Sequence, residues 1–105
     1  MDPLDQAVNQ IRLAILNSYK AISSQTLTVS GLSSLTVPTD AKYALITVEG
    51  GDVRFWMDGT APATGTSGLL RVSGAAFDIT EYYNLNRFRV IDEAGSPILQ
   101  IQYFQ

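Results

Sequence analysis

The chain has 105 residues, which is enough for one domain and too few for two. Ten acidic and seven basic side chains give a net charge of −3, which argues against nucleic-acid binding because phosphates are usually met by a basic patch. The absence of His and Cys excludes Ser-His-Asp triads, cysteine nucleophiles and the common zinc sites. We therefore expect a protein that is not an enzyme and that holds no metal or cofactor.

An amphipathic helix is predicted over residues 3–22, at the start of the chain. Asp2 suits the N-cap and Pro3 the first helical position. Apolar side chains recur every three or four residues, as on one helix face. They are Leu4, Val8, Ile11, Ile15, Tyr19 and Ile22. This face could pack across its own domain, bundle with copies of itself or dock into a partner's groove. We divide the chain into a helical segment, residues 1–25, and a β domain, residues 26–105.

After residue 25 the apolar period changes to two, which indicates β-strands. Strands are predicted at 26–30, 35–37, 43–49, 53–57, 69–72, 75–80, 88–91 and 98–104. The Gly-Gly-Asp run at 50–52 predicts a hairpin, and residues 92–97 predict another turn. Short strands about ten residues apart are typical of sandwiches and barrels. The predicted fold class is mainly β: an antiparallel, jelly-roll-like β-sandwich of about seven to eight strands, preceded by the N-terminal helix.

Catalysis by carboxylates is the remaining enzyme chemistry. A pair of acidic side chains could hydrolyse glycosidic bonds. Most of the candidates occupy turn positions, where acidic side chains are favoured for conformational reasons. The candidates are Asp52, Asp58, Asp78, Glu81, Asp92 and Glu93. We therefore predict no catalytic residue.

Membrane association is also not expected. The start of the chain is acidic and lacks the basic segment of a signal peptide. No apolar run reaches the roughly 18 residues of a membrane span. We expect a soluble protein made in a cytoplasm.

Aromatic side chains are the second candidate binding feature, after the helix. Trp56 is predicted to lie on the opposite face of its strand from Phe55, and Tyr82 and Tyr83 are adjacent in a connection. These rings could pack on the sheet, anchor a contact between subunits or form a stacking platform for sugar rings. The last possibility requires Trp56 and Tyr82 or Tyr83 to be exposed together in a shallow groove, beside amide or carboxylate groups.

Three segments of the β domain carry a shared pattern. In residues 43–62, an alternating strand leads to Val-Arg-Phe at 53–55, an Asp-Gly turn at 58–59 and Pro62. Residues 68–74 then bring a Gly, two Leu and a closing Gly, and residues 99–104 form the closing strand. Together these segments resemble small virion proteins of tailed bacteriophages. The resemblance spans about residues 36–104 and omits the predicted helix.

The resemblance implies a capsid decoration or cement protein that stabilises the capsid lattice, in a virion assembled in the host cytoplasm. Its implied partners are copies of itself, with a trimer favoured, and the major capsid protein. We predict an interface formed by Leu4, Val8, Ile11, Ile15 and Tyr19, with Trp56 and Tyr82 as further anchors. The alternatives are a head–tail, tail or fibre component and a carbohydrate-binding module.

Overall fold

The computed structural model describes residues 19–105 and contains six strands and one short helix in that range. The strands form one antiparallel sheet, which confirms the mainly β class. In chain order the elements are β1 (Ala21–Thr28), β2 (Ser33–Ser34), β3 (Tyr43–Trp56), β4 (Leu69–Arg71), β5 (Ala76–Thr80), α1 (Tyr82–Arg87) and β6 (Arg89–Phe104).

The long strands β3 and β6 run side by side at the centre of the sheet. Their antiparallel register extends from Tyr43 opposite Phe104 to Trp56 opposite Arg89. Shifts in that register between Glu49 and Val53 mark β-bulges whose extra residues lie in β6, between Ile98 and Asp92. The shorter strands border this central pair on both sides, with β1 and β2 beside β6, and β4 and β5 beside β3.

The sheet folds over at the level of these bulges. Ile46 and Phe55 are nine residues apart in β3, which would be about 30 Å along a straight strand. However, Phe77, the strand partner of Ile46, stacks on Phe55 with ring centroids 4.7 Å apart. The bend therefore divides the sheet into two half-sheets that face each other. The first contains β1 and β5, and the second contains β2 and β4, each with one half of β6 and of β3.

The hydrophobic core fills the space between the half-sheets. Val53 and Phe55 of β3 are buried, as are Ile46 and Val48 in the other half of the same strand. In both halves of β3 the alternating apolar side chains thus point inward. Phe88 completes a cluster of three phenylalanines, with its ring 5.2 Å from Phe55 and 6.2 Å from Phe77.

The two predicted turns at 50–52 and 92–97 are wrong. Both segments lie inside continuous strands, β3 and β6, so two predicted pairs of strands are two long strands. Gly50 and Gly95 both have positive φ angles, 77° and 71°. Glycine supplies this backbone geometry equally well to a hairpin turn and to a bulge, and only the partner strand distinguishes the two. The described residues accordingly form six strands instead of seven to eight.

The predicted N-terminal helix lies mostly outside the described residues. Its predicted end at residue 22 is wrong, because Ala21 and Ile22 belong to β1, in which Ala21 pairs with Phe104 at the end of β6. Residues 21–25, assigned above to a helical segment, are thus part of the sheet. The Ser and Thr residues of β1 are weak helix formers, and pairing with β6 satisfies the backbone of this segment.

Two smaller differences concern the elements between the long strands. The short strand predicted at 35–37 is displaced to Ser33–Ser34, where it pairs with Val90 and Arg89. The predicted connection around Tyr82 is the six-residue helix α1, whose buried Leu85 anchors it. No helix in the described part of the chain is long and apolar enough to cross a membrane.

Candidate functional site

A groove of about 360 Å³ lies where the end of β3, the start of β4 and α1 meet. We call it the aromatic groove. Its lining residues are Trp56, Met57, Asp58, Leu69, Tyr83, Asn84 and Arg87. It combines two aromatic rings, two aliphatic side chains and three polar groups. This mixture of apolar surface with a few polar groups is typical of ligand sites.

Trp56 comes to the groove through the alternation of β3. Since Val53 and Phe55 point into the core, Arg54 and Trp56 point to the opposite face, as the sequence predicts. Trp56 is the last residue of β3 and pairs with Arg89 of β6. The half-buried indole is therefore carried by a central strand of the sheet, which holds it in place.

Helix α1 supplies Tyr83, Asn84 and Arg87. Buried Leu85 fixes the helix against the core. Tyr83 and Arg87 are four residues apart and so lie on the same side of the helix. The Arg87 guanidinium is stacked over the Tyr83 ring, 4.9 Å from its centroid. Tyr83 nevertheless remains 63% exposed, so most of this ring is accessible to a ligand.

Arg87 also joins α1 to the loop that follows β3. Its Nη2 and Nε donate hydrogen bonds to the backbone oxygen of Asp58, at 2.5 and 3.2 Å. The Asp58 side chain accepts a hydrogen bond from the Thr60 amide at 3.0 Å. That amide, together with the Thr60 hydroxyl and the charge of Arg87, lowers the pKa of the Asp58 carboxyl. Asp58 is thus a carboxylate at neutral pH, and its charge opposes that of Arg87.

The loop that connects β3 to β4 is held against the second half-sheet. Arg54 pairs with Glu93 at 3.0 Å and donates a hydrogen bond to the Gly68 oxygen. The Gly65 amide donates to Glu93 at 2.6 Å, and the Thr64 hydroxyl donates to the Asp92 oxygen. The Gly65 amide and then Arg54 lower the pKa of Glu93. Because Leu69 follows directly after this loop, these contacts also fix one wall of the groove.

The predicted interface residues are dispersed in the structure. Trp56 lines the aromatic groove, whereas Tyr82 lines a separate groove with Asp40 and Lys42. Tyr19 is half-buried and stacks on Tyr43 of its own chain, with centroids 5.3 Å apart. The remaining four predicted interface residues, Leu4, Val8, Ile11 and Ile15, lie outside the described residues.

Sequence reasoning missed most of the groove. The sequence offers Trp56 with Tyr82 or Tyr83 as a stacking platform for sugar rings, as one of three uses of these rings, but it does not assign Asn84, Arg87 or Leu69 to that platform. The spacing of Tyr83 and Arg87 is a helical signal, but a helix of six residues is too short to be recognised by periodicity. Their proximity to Trp56 depends on how α1 packs.

Other grooves also lie in the described part of the chain. A third groove, of about 300 Å³, is lined mainly by polar side chains of the first half-sheet, including Thr26, Gln100 and Gln102. Within residues 19–105, no three His, Cys, Asp or Glu side chains are grouped to hold a metal ion. Neither of the other two grooves combines Trp with Tyr. The aromatic groove is therefore the best candidate site.

Comparison with known proteins gives one structural likeness. No family model and no curated protein matches the chain. A solved structure of a cupin-2 domain containing protein from Shewanella frigidimarina NCIMB 400 is similar, with a TM-score of 0.49 and 12% sequence identity. The alignment covers 81% of this chain and 78% of that chain.

This comparison corrects the predicted function. The solved structure found is a cupin-2 domain protein and not a capsid protein, so the predicted role as a capsid decoration or cement protein is wrong. The prediction rested on short segments of strand and turn, and the residues that match there are common in the strands and turns of many β-proteins. Function is therefore argued below from the groove alone.

Proposed function

We propose that the protein is a non-enzymatic binding protein that recognises its ligand through the aromatic groove. The observation that carries this proposal is the meeting of Trp56, Tyr83 and Arg87 in one groove. Trp, Tyr and Arg are the side chains most enriched at the energetic centres of binding interfaces. Their rings offer large apolar faces and lose little conformational entropy on binding.

The ionisable groups of the groove support binding over catalysis. Asp58 has a lowered pKa and stays ionised, which suits it poorly to donate a proton as a general acid near neutral pH. Arg87 is permanently charged and is engaged with Asp58 and Tyr83. The sequence has neither His nor Cys to act as a base or nucleophile.

We further propose that the folded-over sheet is a β-sandwich of the jelly-roll type. When β3 and β6 are counted once in each half-sheet, the six strands become eight segments. Their order is β1–β6–β3–β5 in the first half-sheet and β2–β6–β3–β4 in the second. Eight strands in two facing sheets is the arrangement of a jelly roll. Since unrelated functions share this fold, it supports the scaffold and not a specific ligand.

The proposed function can be tested by a fragment screen that assumes no ligand class. The ¹⁵N-labelled protein would be titrated with mixtures of small polar and aromatic fragments, and amide shifts followed by NMR. We expect the shifts to cluster at residues 56–59, 69 and 83–87, and to disappear in the Tyr83→Ala variant. Tyr82→Ala is the matched control, because this neighbouring ring lies outside the groove. Shifts spread over other surfaces, or no shifts, would contradict the proposal.

A further inference from the structure

We infer that the ligand of the aromatic groove is a neutral saccharide, whose ring stacks on Trp56 and Tyr83 while its hydroxyl groups bond to the polar side chains around them. This inference rests on the proposed binding function and specifies the class of ligand. Three properties of the groove support it: the accessible aromatic faces, the mixed hydrogen-bonding groups and the balance of charge.

The aromatic faces suit the apolar side of a sugar ring. A pyranose exposes several C–H groups on one face, and these carry a small positive charge. The face of an aromatic ring is negative, so the two surfaces attract each other as they exclude water. Tyr83 is 63% exposed, with Arg87 covering part of its ring, and Trp56 lines the same groove. Met57 and Leu69 extend the apolar surface.

The polar groups of the groove include both donors and acceptors. Among residues 19–105, no hydrogen bond uses Trp56 Nε1, the Tyr83 hydroxyl or Asn84 Oδ1. The indole nitrogen only donates, the amide oxygen only accepts, and the phenol does both. Each sugar hydroxyl also donates and accepts. A saccharide can therefore use all three groups, whereas a purely apolar ligand would leave them unsatisfied.

The charge of the groove favours a neutral ligand. The carboxylate of Asp58 and the guanidinium of Arg87 are its charged groups, and their charges cancel. The chain carries a net charge of −3, which disfavours the phosphates of a nucleic acid even though bases also stack on aromatic rings. A neutral sugar ring can stack on Trp56 and Tyr83 without a basic patch beside them.

The groove is already organised before any ligand binds. The Asn84 amide nitrogen donates to the Thr80 oxygen at 3.0 Å, which fixes the side chain and directs Oδ1 away from that bond. Arg87 holds α1 to the Asp58 backbone, and Leu85 anchors the helix in the core. Groups held in this way lose little freedom on binding, which increases affinity for a weakly bound class of ligand such as sugars.

The test uses Trp56 as an internal probe, since it is the only Trp in the sequence. Full-length protein would be titrated with maltotriose, cellotriose, chitotriose and galactotriose, with trigalacturonate as the acidic comparison. A panel of proline-rich and aromatic peptides would be titrated in parallel. We expect saturable changes in Trp fluorescence with at least one neutral trisaccharide, and weaker binding of the acidic one. Tyr83→Ala should weaken this binding by about tenfold or more, while Tyr82→Ala leaves it unchanged.

The variants separate loss of binding from loss of folding. Tyr83 is mostly exposed, so its truncation should leave thermal unfolding unchanged and keep the fluorescent probe. Tyr83→Phe retains the ring, and should bind more tightly than Tyr83→Ala if stacking contributes. For Trp56→Phe, which removes the probe, calorimetry would replace fluorescence.

The outcomes distinguish the two proposals. Binding of peptides at the groove without binding of any sugar would overturn the saccharide inference and retain the proposed binding function. Sugar binding that survives Tyr83→Ala would also overturn the inference. If neither sugars nor peptides bind and the fragment screen shows no shifts at the groove, both proposals are wrong.

Discussion

Glu81 has a backbone conformation that side chains rarely adopt. It is the one non-glycine residue of the described chain with positive φ, at 76°, and it directly precedes α1. Its amide donates to the Lys42 oxygen and its oxygen accepts from the Leu85 amide, so hydrogen bonds on both sides hold this conformation. Such strain costs roughly 1–3 kcal/mol and often occurs near functional sites. Here it sets the direction of the helix that carries Tyr83 and Arg87.

Replacing Glu81 by Gly should stabilise the protein. Glycine adopts positive φ without strain, which stabilises the folded state. It also gives the unfolded chain more conformational entropy, which offsets part of this gain. We therefore expect a net increase of about 1 kcal/mol in the free energy of unfolding. Chemical denaturation measures it. Glu81→Ala is the matched control, because alanine retains the backbone strain and should give no increase. An equal gain in both variants would indicate that the Glu81 side chain, and not its backbone, is unfavourable.

Glu93 should make the protein less stable in acid. Its pKa is lowered in the folded state by the Gly65 amide and by Arg54, so the unfolded chain takes up a proton first as the pH falls. Its stabilising contribution is therefore complete above the ordinary pKa of glutamic acid. It is lost as the pH falls from that value through the lower pKa of the folded state.

Two measurements test this pH dependence. The NMR shift of the Gly65 amide should titrate with a midpoint below the usual range of glutamic acid. In Glu93→Gln that titration should be absent, and unfolding should depend less on pH across the same interval. Glu49→Gln, which alters a carboxylate bonded to Gln100 on the first half-sheet, is the control and should leave the Gly65 titration unchanged. A normal midpoint in the wild type would contradict the role assigned to Glu93.

The bend of the central strands depends on close backbone packing. A Cβ atom at Gly51 would collide with the Ala94 oxygen and lie 2.9 Å from Pro97. At Gly31, by contrast, no atom lies within 4 Å of a Cβ, although φ is positive at 77°. Gly51 is therefore needed because the bend leaves no space for a side chain, whereas Gly31 is needed only for its backbone conformation.

Alanine at these two glycines should have different effects. Gly51→Ala forces β3 and β6 apart at the bend, and we expect it to lower the free energy of unfolding by about 3 kcal/mol or to prevent folding. Gly31→Ala introduces only backbone strain and should cost about 1 kcal/mol. Thermal and chemical unfolding of both variants measure the difference. Similar small losses would mean that the bend readily adjusts.

The strands illustrate which elements are predictable from sequence. Apolar side chains alternate at Ala44, Ile46 and Val48, and again at Val53 and Phe55, and these side chains are buried. The alternation identifies the buried face because successive side chains of any strand point to opposite faces. The Gly-Gly-Asp segment was misassigned as a hairpin because it interrupts this alternation. A bulge interrupts it in the same way. Whether the chain turns or continues depends on its partner, β6, more than thirty residues later.

The assembly of the protein stays a prediction. The structure does not describe the apolar positions proposed for self-association, Leu4, Val8, Ile11 and Ile15. Since β1 begins at Ala21, removal of residues 1–18 leaves every strand of the described chain intact. Light scattering of the full chain and of residues 19–105 would show whether residues 1–18 are needed for self-association.

If the N-terminal segment drives assembly, the full chain should be an oligomer, with a trimer expected, and residues 19–105 should form a folded monomer. The quadruple variant with Leu4, Val8, Ile11 and Ile15 changed to Ser is a control that retains chain length. The same number of chains per particle in all three proteins would contradict assembly through this segment.

Some properties of the protein follow from local sequence. The absence of His and Cys limits the available chemistry, and the period of apolar residues identifies strands and their inward faces. These features depend on residue type and near neighbours, so one sequence is enough to derive them. The aromatic groove could not be derived in this way. Trp56 and Tyr83 are 27 residues apart (83 − 56), and they meet because the sheet bends and α1 packs through Leu85. Tertiary packing alone determines that proximity, since it depends on contacts between distant segments that no local pattern encodes.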